Sequence, residues 1–153
     1  MSYTHAITVP LPYEQTVERT RTALADQGFG ILTEIDVRAT FGTKLGEEAA
    51  QAVGDYVILG ACNPVLASKA LAAEPALGVL LPCNVVVRRG SNDEQTIVEA
   101  IDPQTMVQLS GSAQVRDIAD DADTRLRAAL ATLSAGSAGS AGSAGSAGSA
   151  ADR

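Results

Sequence analysis

Two short apolar runs set the frame for the whole chain, because each is stopped by a residue that breaks regular structure. The first, Tyr56-Val57-Ile58-Leu59, is rich in β-branched and aromatic residues and ends at Gly60, which predicts a strand buried on both faces. The second begins as Val79-Leu80-Leu81, is interrupted by Pro82 and finishes as Val85-Val86-Val87. A proline cannot donate to a central ladder, so Pro82 predicts a sheet edge or a bulge. Between the runs, Asn63-Pro64 is a helix start: the amide side chain can accept from an early backbone N–H, and proline at the first helical position loses no needed donor. A helix is therefore predicted over Val65 to Ala73, closed by Pro75 and Gly78. Each run carries a cysteine followed by asparagine, Cys62-Asn63 and Cys83-Asn84, and these are the chain's two cysteines.

The remaining segments supply partners for that pair of strands. Tyr3, His5, Ile7 and Val9 share one parity, which predicts a strand with that set facing the core. Tyr13, Val17, Thr20, Leu24 and Gln27 fall on one helical face, and Gly28 stops that helix. Ile31, Thr33, Ile35 and Val37 alternate with Glu34, Asp36 and Arg38, predicting a strand with one buried and one wet side. A single short helix is expected over Phe41 to Gln51. Gly90 to Asp93 has the composition of a hairpin turn returning the chain as the strand Gln95 to Ile101, in which Glu99 shares parity with Ile97 and Ile101 and so points inward. Asp102-Pro103 repeats the cap-then-proline signal before a short helix ended by Gly111. The last helix, Asp117 to Leu133, carries the stripe Ile118, Ala122, Leu126, Ala129, Leu130 and Leu133, with acids in its first turn and arginines later, the polarity a helix dipole favours.

Beyond Leu133 the triplet Ser-Ala-Gly repeats, and three small residues cannot bury enough apolar area to offset the cost of ordering. The expected organisation is one α+β domain over 1–133 and a flexible tail over 134–153. The formal charge of −7 belongs wholly to the domain, since Asp152 and Arg153 cancel. An acidic body repels phosphate backbones, which argues against nucleic acid. No apolar stretch reaches membrane-spanning length and the start MSYTHAITVP has no signal-peptide pattern, so a cytoplasmic protein with reduced thiols and no membrane association is expected.

The two cysteine motifs are the candidate site. Cys62 precedes a helix N-terminus, where backbone N–H groups and the dipole can hold a thiolate, whereas Cys83 is followed by three valines that desolvate it. If the two strands are neighbours, Cys62, Asn63, Cys83 and Asn84 could face one pocket, as a dithiol, a redox pair or a soft-metal clip. Packing is the weightier account on residue type alone, since cysteine is among the most buried residues; the repeated Cys-Asn keeps the chemical account open. Asn63 and Pro64 are explained as cap and first turn, His5 as a half-buried strand residue, and Arg88-Arg89 as a solvated pair. The Gly28-Phe29-Gly30 turn follows a helix and precedes a strand, the reverse of a phosphate cradle.

The sequence Ile58-Leu59-Gly60-Ala61-Cys62-Asn63-Pro64, an alanine-rich helix, and then Gly78-Val79-Leu80-Leu81-Pro82-Cys83-Asn84-Val85 resembles the family known as domain of unknown function 302, in its subgroup with a cysteine in each motif. The resemblance covers nearly all of 1–133, including the Gly28 to Leu32 and Asp102-Pro103 turns. It implies a curved antiparallel sheet packed by helices, akin to the TATA-binding-protein-like sandwich, often paired as a homodimer. It carries no established activity, so no catalytic residue transfers. The expectation for function is a homodimeric binding or structural module with a pocket lined by the two Cys-Asn motifs, taking a small-molecule or soft-metal ligand. The competing expectation is a thiol-based redox enzyme or sensor.

Overall fold

The computed structural model describes residues 2–151, with side chains described for 2–136. Five strands form one antiparallel sheet in the order β1-β5-β4-β3-β2: β1 (Thr4–Val9), β2 (Gly30–Asp36), β3 (Asp55–Cys62), β4 (Cys83–Arg89) and β5 (Thr96–Ile101). The two apolar runs end up as central neighbours, with Val57 opposite Val87 and Leu59 opposite Val85. The sheet is open, and its edges are β1 and β2. Pro82 therefore marks no edge: it sits just before β4, an interior strand, after a cis Leu81–Pro82 peptide.

One face of the sheet is covered by helices. Val57, Leu59, Ala61, Val85, Val87, Val98 and Ala100 pack against Ala23 and Leu24 of α1 (Tyr13–Asp26) and against Leu126, Ala129, Leu130 and Leu133 of α6 (Ala113–Ala151). The predicted α6 stripe is the observed one, and the helix continues past Leu133, its expected end. Of the predicted tail, side chains are described as far as Gly136, whose carbonyl accepts from Arg19 Nη1 at 3.3 Å; over 137–151 the backbone continues α6, and 152–153 lie outside the described residues. Among the described residues, no helix is long and apolar enough to cross a membrane.

Several local expectations are corrected. In β2 the register slips between Ile31 and Thr33. The bulge reverses the parity, so Ile31 packs on the core while Thr33 and Ile35 lie on the open face, Ile35 48% exposed. Val37 begins a helix rather than continuing the strand, because the Asp36 side chain accepts from Ala39 N at 2.9 Å and caps α2 (Val37–Leu45). Gly46, at φ 102, then separates α2 from α3 (Glu47–Val53), giving two helices where one was expected. Val79 and Leu80 belong to a 3₁₀ turn, Pro75–Leu80, instead of resuming a strand.

Parity in the outer strands also differs from expectation. Val98 and Ala100 face the core, so Glu99 lies on the open face and accepts from Arg88 Nε at 2.6 Å. It is not an inward carboxylate, and Arg88 is not merely solvated. Arg89 is likewise engaged, its Nε donating to the Asp93 carbonyl at 2.9 Å. On β1, Val9 is buried but Tyr3 is 69% exposed, because it precedes the paired segment.

Candidate functional site

The corner where β3 ends and β4 begins is built by the residues between them. Cys62 is the last residue of β3, and Asn63 caps α4 (Pro64–Ala73), its Oδ1 accepting from Leu66 N at 3.1 Å. The chain runs out through α4, turns through Pro75–Leu80 and returns as β4, whose first residue, Cys83, pairs with Ala61. Antiparallel pairing of these two strand ends thus brings together cysteines separated by a helix and a turn in sequence.

Cys62, Asn63 and Cys83 line one cavity of about 40 Å³. Its walls are apolar: Phe29 from the turn before β2, Leu66 and Ala70 from α4, Met106 from α5 (Gln104–Ser110), and Ile118 and Ala122 from α6. Among the described residues lining it, the two thiols are the only titratable groups. Cys83 is buried and Cys62 half-buried, and both are free thiols. Burial pushes the Cys83 thiol up to about 11, with the charge that Cys62 can carry beside it adding in the same direction. This is the desolvation predicted from the valines that follow it.

Asn84 does not join them. It is exposed on the opposite face of β4, in register with Gly60, as strand alternation requires once Cys83 points to the helices. The two Cys-Asn pairs are therefore alike in sequence but unlike in space: the first asparagine is a helix cap at the cavity and the second a surface amide. The walls contributed by Met106, Ile118 and Ala122 could not be assigned to the cavity from sequence. Their helical spacing marks them as buried, but only tertiary packing says against what.

Comparison with known families finds that the family described as "Domain of unknown function DUF302" matches residues 5–133. Among solved structures, the chain is similar to an uncharacterised conserved DUF302 protein from Bacillus stearothermophilus, with 28% identity, a TM-score of 0.75, and coverage of 87% of this chain and 99% of that one. No curated protein matches the chain.

Proposed function

Because this chain belongs to the DUF302 family, whose description names no activity, we propose a function from its own geometry: a binding module whose dithiol cavity takes a single soft metal ion. The observation that carries the reading is that Cys62 and Cys83, from different strands, line one cavity of about 40 Å³. Pockets for organic ligands are roughly 300 Å³ or more. The volume here holds a few water-sized groups, which suits an ion far better than a metabolite. Two sulfur donors in an apolar shell select soft cations. The lining offers no acid or base besides the thiols themselves, and general acid–base chemistry needs one within reach; this supports binding over a thiol enzyme.

Binding must displace the Cys83 proton, so affinity rises with pH and protons are released on loading. Titration of the reduced protein with copper(I), buffered by a competing chelator, is expected to load one ion per chain. Either Cys62→Ser or Cys83→Ser should weaken that binding by about a hundredfold or more, since a two-donor site loses half its ligands. Affinity unchanged in Cys83→Ser would place the ion elsewhere and end the reading.

The same module is proposed to act as a homodimer. Its support is the uncovered face of the sheet, where Ile35, Ile58 and Val86 lie in one row across β2, β3 and β4, Ile35 being 48% exposed. A row of β-branched residues facing outward is the kind of surface a second copy would cover. Light scattering at low micromolar concentration should give twice the chain mass, and Ile35→Glu should reduce it to the monomer. A monomer mass for the unaltered chain would exclude the pairing.

A further inference from the structure

Away from the thiol cavity, three polar side chains from distant parts of the chain converge beside the sheet edge. Register places His5 of β1 opposite Ala100 and Thr4 opposite Ile101. Asp102 N then donates to the Tyr3 carbonyl at 2.8 Å, which extends the ladder by one step and brings the Asp102 carboxylate alongside the imidazole. From above, α6 delivers Asp123. His5 Nε2 lies 2.7 Å from Asp123 Oδ1 and 3.6 Å from Asp102 Oδ1. One ligand atom from each of the three residues falls within 4.8 Å of the other two. The side chains are only 17%, 20% and 16% exposed for His5, Asp102 and Asp123.

We infer that His5, Asp102 and Asp123 form a binding site for one divalent first-row transition-metal ion, distinct from the thiol cavity in both place and donor type. An imidazole nitrogen with two carboxylate oxygens is a borderline-to-hard donor set that suits Zn²⁺ or Mn²⁺. Spacings of this size allow a central ion about 2 Å from each ligand atom after small side-chain rotations. With the imidazole neutral, the two carboxylates place two negative charges in a half-buried spot. Opposing them is the Arg127 guanidinium, itself 62% exposed, whose Nε donates to Asp123 Oδ2 at 2.9 Å. Arg127 offsets only one of the two charges, so the spot keeps a net negative charge that attracts a cation. Both carboxylates are also held by neighbours: Asp102 Oδ1, the oxygen that faces His5, accepts from Gln104 N at 2.9 Å, while Arg127 holds the second oxygen of Asp123. Such outer contacts fix ligand geometry and contribute to affinity at metal sites. Three protein ligands leave at least one coordination position for water or another ligand.

The chain contains a single histidine, so its ring proton resonances report on this site alone in tag-free protein. Adding Mn²⁺, a hard ion that thiols bind poorly, is expected to broaden the His5 ring signals of the wild-type protein at substoichiometric concentration, and Zn²⁺ should shift them saturably. In the double variant Asp102→Asn/Asp123→Asn the half-saturation point should move up about tenfold or more. Circular dichroism establishes that this variant is folded; were it not, Asp123→Asn alone, which keeps the side-chain shape, carries the comparison. His5 signals untouched by either ion, or a titration identical in wild type and the carboxylate variants, would overturn the site.

Discussion

In the native protein at pH 7.5, Cys83 is expected to react with a small alkylating reagent about a hundredfold more slowly than the same residue in the unfolded chain. Only the thiolate is nucleophilic, and the Cys83 thiol is raised from 9.0 to about 11, mostly by burial and secondarily by the charge Cys62 can carry. Two units are a factor of about one hundred in thiolate fraction when the pH lies below both values. Cys62 is half-buried where Cys83 is buried, so mass spectrometry of partially labelled protein should find the label on Cys62 first. The Cys83 rate should climb about tenfold per pH unit until near 11. Cys62→Ser should speed it only slightly, because the larger cause, burial, remains. Equal native-state labelling of both residues would defeat the asymmetry.

The same proton links to stability, and the sign follows from the shift. The folded state holds the Cys83 proton more tightly than the unfolded chain does. Its contribution is therefore fully present below about pH 9 and is lost as the pH rises through about 11. For a buried group, two units correspond to about 2–3 kcal/mol. Cys83→Ser should remove that portion of the alkaline loss. Tyr13, raised to about 12 first by burial and then by Asp36 and Asp55, adds a separate loss that begins only above pH 10.

Much of this architecture was legible because it rests on local chemistry. Asn63-Pro64 starts a helix for reasons contained in those two residues, and Asn63 caps α4 as expected. The α6 stripe follows from spacing alone, and so does the hairpin at Gly90 to Asp93, where Asp93 N donates to the Gly90 carbonyl. What sequence could not resolve is set between segments. The bulge at Ile31/Thr33 inverts which β2 residues face the helices, and nothing in the alternation of β2 announces it. β5 is apolar at Ile97, Val98, Ala100 and Ile101, so its parity is ambiguous until neighbouring strands fix the register. Val79-Leu80 has β-like composition, yet it is held in a 3₁₀ turn where the chain must come back to place Cys83 beside Ala61. The candidate thiol corner was readable as two motifs, but Asn84 was separated from it by strand alternation. The His5 cluster draws on residues nearly the length of the domain apart, and no spacing rule connects them.

Gly60→Ala should be strongly destabilising although it adds a single methyl group. Gly60 is buried in β3, paired with Asn84 on one side and Thr33 on the other. A Cβ there would collide with Thr33 Oγ1 and come within 2.8 Å of Pro82 Cγ. Rotation about χ1 could move the threonine hydroxyl, although the Thr33 Cβ itself is only 3.4 Å away. The proline ring has no such freedom, because it is closed on its own backbone. Relief must therefore come from parting β3 from the segment that leads into β4, at a cost of about 3 kcal/mol. For a domain of this size that is a fall in melting temperature of roughly ten degrees. Pro82 immediately precedes Cys83, so the displacement should also loosen the cover over the cavity and raise the Cys83 alkylation rate in Gly60→Ala. Thr33→Ala in that background should recover only the part of the stability owed to the hydroxyl, leaving the Pro82 clash. A Gly60→Ala protein melting within about a degree of wild type, with Cys83 still protected, would mean that the ring yields without the strand, and that the close packing of Gly60 against Pro82 does not hold the thiol corner together.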